Sequence, residues 1–119
     1  MTPEELKART KTFAVRIVAL TEALPRSKAA QHIGGQLLRA GTAVGSNYRA
    51  ACRARSHAEF ISKLAIVVEE ADETVYWLDV LTESQLVKAA RLGDLQKEAN
   101  ELLSIFAAAH KTARDPDKG

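Results

Sequence analysis

Between Leu37 and Ser56 the chain reads LLRAGTAVGSNYRAACRARS, and the residues in it with most chemistry to offer are arginines. Arg39, Arg49, Arg53 and Arg55 share this stretch with no carboxylate. A guanidinium presents a planar fork of donors that matches phosphate and carboxylate oxygens. Three readings follow: a solvated helix face, contacts to nucleic-acid phosphates, or salt bridges to an acidic partner surface. Catalytic sets do not assemble. His32, His57 and His110 fall near the ends of different predicted helices, and Cys52 is the single cysteine. No Glu is followed three places later by His, the spacing on which a di-iron bundle depends. There is no P-loop, no dinucleotide fingerprint and no zinc spacing. The expectation is a non-enzymatic protein with no metal, no cofactor and no evident small-molecule substrate.

Amphipathic helices are the elements that must position the arginines. Thr2-Pro3-Glu4-Glu5 is a capping box with Pro at the first helical position. From there Leu6, Phe13, Ile17, Leu20 and Leu24 recur at steps of three, four and seven until Pro25. Ser27 can cap a second helix with Ile33, Leu37, Ala40, Val44, Tyr48 and Ala51 inward. Ser56-His57-Ala58-Glu59 opens a third, with Phe60, Leu64, Val67, Ala71, Val75 and Leu78 inward. A fourth carries Leu92, Leu95, Ala99, Leu102, Leu103 and Phe106 and closes near His110 to Arg114. No segment alternates as a strand does, and the connections are short. The pattern predicts an all-α, up-down-up-down antiparallel four-helix bundle over residues 1–114, with a disordered polar tail over 115–119.

Gly34, Gly41, Gly45 and Cys52 fall on one flank of the second helix. Glycine inside a helix costs about 1 kcal/mol relative to alanine, which close backbone approach can offset. The approaching helix belongs either to the same bundle or to a neighbouring subunit. Arg39, Ser46 and Arg53 lie on the opposite face, with Arg49 nearby. Asn47 sits at the edge of the inward stripe near Gln36, and a half-buried amide there is expected to hydrogen-bond across helices and fix their register. On the third helix, Ile66, Trp77 and Val80 lie away from the core stripe, interleaved with Glu69, Glu70 and Glu73. Trp77 either lies flat against the bundle or serves as an interface anchor. The favoured reading is a homo-oligomer in which this acidic, apolar face meets the basic second-helix face of the next subunit, a heterologous contact able to close a ring.

The 119 residues carry a net charge of +2 that is unevenly spread. Residues 1–58 hold ten Lys or Arg against three acids, residues 59–87 hold one against seven, and residues 88–119 hold six against five. An apolar content of 46% describes a globular chain. The lone cysteine requires no oxidising compartment, and no run approaches the roughly 18 apolar residues of a membrane span. A cytoplasmic protein is expected.

The run Gln36 to Leu81 resembles the small bacterial four-helix-bundle family named for intervening sequences in 23S ribosomal RNA genes. The resembling residues are Gln36-Leu37 with Arg39, Asn47, the Ser56-Glu59-Phe60 helix start, and Glu70, Glu73, Trp77 and Leu78. Many members follow the Asn with a small residue and Glu-Gly, whereas this chain reads Asn47-Tyr48-Arg49-Ala50. The resemblance implies an assembly of identical bundles, typically a five-membered ring, and a fold similar to the accessory variability protein of diversity-generating retroelements, which binds nucleic acid and a reverse transcriptase. Two functions are therefore expected: an oligomeric scaffold or adaptor, or a nucleic-acid binder acting through Arg39, Arg49, Arg53 and Arg55 with Lys7, Lys11 and Arg16. The partner is then the chain itself, with nucleic acid or a nucleic-acid-processing protein as the alternative.

Overall fold

The computed structural model describes residues 1–116, so the expected tail lies outside the described residues from 117 onward. Four helices follow one another: α1 (Pro3–Glu22), α2 (Lys28–Cys52), α3 (His57–Glu83) and α4 (Ala89–Arg114). Three begin as their sequences predict. The hydroxyls of Thr2, Ser27 and Ser56 accept from the backbone N–H groups of Glu5, Ala30 and Glu59 at 3.1, 3.2 and 3.1 Å, each satisfying one of the orphan donors of a first turn. Helix α4 starts without a side-chain cap. The α3–α4 turn passes through Gln85 at φ 60°, left-handed backbone at a non-glycine position.

The helices pack in chain order into a bundle 47 Å long and 23 by 22 Å across. Leu24 lies beside Gly34, Ile17 beside Gly41 and Thr10 beside Gly45, so α1 and α2 run antiparallel. The core is a column of fully buried side chains, among them Phe13, Ile17, Leu37, Leu64, Leu78 and Phe106. Tyr48 reaches into it and tilts against Phe106 at 5.1 Å between ring centroids. Two buried threonines satisfy themselves on their own helices: Thr10 Oγ1 donates toward Leu6 and Lys7 carbonyls at 2.9 and 3.0 Å, and Thr74 Oγ1 donates to the Glu70 carbonyl at 2.7 Å.

The small flank of α2 faces α1 of the same chain. A Cβ built on Gly41 would stand 2.9 Å from both Cγ1 and Cγ2 of Ile17. One on Gly45 would meet Thr10 Oγ1 at 3.1 Å and the Thr10 carbonyl carbon at 3.4 Å. The third glycine, Gly34, is covered by the flexible end of Leu24 at 2.7 Å.

Helices α1 and α4 close the bundle along its loosest seam, which is held by charge. Arg9 donates through Nε and Nη2 to the two carboxylate oxygens of Glu98 at 2.7 and 2.6 Å, and Nη2 also reaches Glu101 at 2.9 Å. These bonds hold the Glu98 carboxyl below the usual carboxylate range, against the opposing effect of burial. A carboxyl lowered on folding adds stability above its unfolded value, near 4.3, and that stability is lost as pH falls through the lower folded value.

Two outcomes follow for urea unfolding. Gly35, beside which a Cβ meets nothing within 4 Å, should gain about 0.5–1 kcal/mol as Gly35→Ala through helix propensity, whereas Gly41→Ala should lose about 1–2 kcal/mol by crowding Ile17. Arg9→Met should cost about 1 kcal/mol at pH 7 and lose less further stability than the parent chain between pH 6 and pH 3.

Candidate functional site

The outer surface between α1 and α2 carries a charged groove of about 970 Å³. Its walls follow from helical spacing. Lys7, Lys11 and Ala14 recur at four and three along α1, and Thr42, Gly45, Arg49 and Arg53 do the same along α2. At Gly45 the backbone of α2 stands against Thr10 of α1, and Lys7, Lys11, Arg49 and Arg53 line the groove with these two residues. Glu4 sits at one end and accepts from Lys7 Nζ at 3.2 Å. Lys11, Arg49 and Arg53 are exposed and take no part in an ion pair among the described residues. Farther along the same helix pair lies a second hollow of about 580 Å³, bordered by Glu22, Arg26, Gln31, Gly35 and Leu38. Val18, 42% exposed, and Leu38, 38% exposed, add apolar surface to this side of the bundle.

The expected basic face is thus divided. Arg39 is not available there: it crosses to α3 of its own chain, donating through Nη1 to Glu70 at 2.8 Å and through Nη2 to Glu73. Its guanidinium pKa is raised by these two carboxylates, Glu73 first. Within one chain α2 and α3 already bring Arg39 within reach of both Glu70 and Glu73, so these two carboxylates have a cation of their own subunit. Arg16 is exposed on α1 and does not line the groove, and Arg55 is exposed in the α2–α3 turn, also outside it.

Two further expectations change. Asn47 does not bridge helices; its Nδ2 donates to the Ala43 carbonyl at 2.8 Å, one turn back on α2. An acceptor four residues earlier lies within reach of a short amide without any partner helix. Gln36 is half-buried on the same helix. Trp77 is half-buried rather than presented outward: its indole N–H donates to Glu73 at 3.3 Å, and its ring meets His32 edge-on at 6.2 Å and Tyr76 at 4.9 Å. Val80 is also half-buried against the core. Ile66, 41% exposed, and Glu69 remain on the outside of α3, together with Tyr76, 58% exposed, which the periodicity did not single out. The Arg9 clamp was likewise invisible in sequence, since nothing in a one-dimensional pattern pairs α1 with α4 across almost the whole chain.

Among the described residues, no three His, Cys, Asp or Glu side chains converge as a metal site requires, and no helix is long and apolar enough to cross a membrane. Four long helices around one apolar column, with charge sorted onto its outer faces, define a small all-α bundle protein. The chain belongs to the 23S rRNA-intervening sequence protein family, whose model matches residues 5–108. It is similar to a solved structure from Bacteroides thetaiotaomicron, described as a protein with unknown function from the S23 ribosomal protein family, at 34% sequence identity and a TM-score of 0.86. That match covers 94% of this chain and 100% of the other. No curated protein matches the sequence.

Because Trp77 packs within the chain, Trp77→Ala should lower the stability of the individual bundle by about 2 kcal/mol, roughly half the cost of removing a fully buried Trp. The midpoint of chemical unfolding at a concentration that keeps the chain monomeric checks this.

Proposed function

We propose that this protein is a non-enzymatic scaffold that assembles with copies of itself, in a ring of the five-membered kind that the family resemblance implies, and presents that assembly to another macromolecule. The observation that carries this reading is apolar surface left outside a finished core. Val15 is 64% exposed, Tyr76 58%, Val18 42% and Ile66 41%, although the interior is already filled by side chains from all four helices. Surface of this kind, rimmed by charge, suits an interface. Separation of the cations of α1 and α2 from the acids of α3 supports contact between unlike faces. Of the residues expected at that interface, Ile66 and Glu69 are the best placed for it. Glu70, Glu73, Trp77 and Val80 contribute from behind, by holding the outer face of α3 in position.

A second reading rests on the groove itself. Lys7, Lys11, Arg49 and Arg53 lie along one open trough, and a row of flexible cations on a surface suits a phosphate backbone. In that case the protein binds RNA or DNA. The groove offers no aromatic ring for base stacking, which makes the scaffold the better supported of the two.

Light scattering at low and high salt, with and without total RNA, separates these functions. A multimer whose mass is unchanged by RNA is the expected result. Uptake of RNA that is reversed as salt rises, and lost in Arg49→Gln with Arg53→Gln, would transfer the function to nucleic-acid binding.

A further inference from the structure

We infer that the α1–α2 groove receives the outer face of α3 from a second copy of this chain, an assignment that rests on the self-assembly reading above and names its two contact surfaces. Charge makes the first argument. Lys11, Arg49 and Arg53 stand exposed on the groove without an ion-pair partner among the described residues. Glu69 and Asp72 are likewise exposed on the outside of α3 and without an ion-pair partner among the described residues. Arg39 is excluded from this account, since Glu70 and Glu73 already hold it.

Each surface rejects a copy of itself. Groove against groove sets cation against cation, and α3 against α3 sets carboxylate against carboxylate, both costly across an interface. Groove against α3 joins opposite charges. The contact that the molecule favours is therefore between unlike faces, which leaves a free groove and a free α3 on every pair and allows growth beyond a dimer.

Spacing makes the second argument. On α1, Lys11 precedes the exposed Val18 by seven residues; on α3, Glu69 precedes the exposed Tyr76 by seven. At 1.5 Å per residue both charged positions stand about 10 Å from their apolar neighbours. When α3 of one copy lies parallel to α1 of the other, Lys11 can face Glu69 while Val18 faces Tyr76. Ile66 then extends the apolar contact at the other end of the α3 stripe. The small floor residues Ala14 and Gly45 let the incoming helix settle between the cations.

Paired charge reversal tests this on the full chain by sedimentation. Lys11→Glu with Arg49→Glu, and separately Glu69→Lys with Asp72→Lys, should each raise the concentration needed for assembly about tenfold or more while leaving helical content unchanged. Mixing the two variants in equal amounts should restore assembly, because contacts in the mixture again join opposite charges. Should a reversal variant lose helicity, Tyr76→Ser in the otherwise unaltered chain takes its place, with weakened assembly expected. A parent chain that stays multimeric but is indifferent to these changes overturns the surface assignment and leaves self-assembly standing. Variants that dissociate but do not reassemble on mixing overturn the pairing of groove with α3. A parent chain that is monomeric at every concentration overturns both readings, and RNA binding lost with Lys11→Glu and Arg49→Glu would give the groove to nucleic acid.

Discussion

Close approach of α1 and α2 is the constraint on which the rest of this structure depends. At Gly41 and Gly45 the second helix presents backbone where other residues would present a side chain, and Ile17 and Thr10 occupy the space released. The tight seam draws Ile17 fully into the core. Along the outer valley between the same two helices, Lys7, Lys11, Arg49 and Arg53 line one groove. The propensity cost of the glycines, about 1 kcal/mol each, is offset by this contact. At Gly35, where nothing approaches, no such contact offsets it.

Electrostatics divide the surface into parts that hold the bundle together and parts left open. Arg9 ties α1 to α4 across the seam with the least packing, and Arg39 ties α2 to α3. Both are multidentate, which suits a planar guanidinium far better than an ammonium. Among the described residues the cations of the groove make no such closure apart from Lys7, which meets Glu4 one turn away. Two arginines that look alike in sequence, Arg39 and Arg53, therefore have different work: one is spent inside the chain, and the other makes no ion pair among the described residues.

That division is also where sequence reading reached its limit. Helix number, capping hydroxyls and the inward residues were legible because each is a local pattern, set by 3.6 residues per turn and by the orphan N–H groups of a first turn. Tyr48 inward, Ser56 as a cap and the short connections are all of this kind. Trp77 was harder. Its wheel position lies between core and surface, and it became half-buried because Glu73 and His32 lie beside it in three dimensions. Asn47 found an acceptor within its own helix, an option that competes with every interhelical bond predicted from polarity alone.

The amino-acid order by itself determined four amphipathic helices, their antiparallel course and the separation of positive and negative charge along the chain, because these depend on neighbours within about two turns. Tertiary structure alone decided which helix the glycine flank meets, which arginines are consumed in ion pairs and which cations share a groove. Those outcomes depend on distances between residues far apart in sequence, and only the packed bundle sets them.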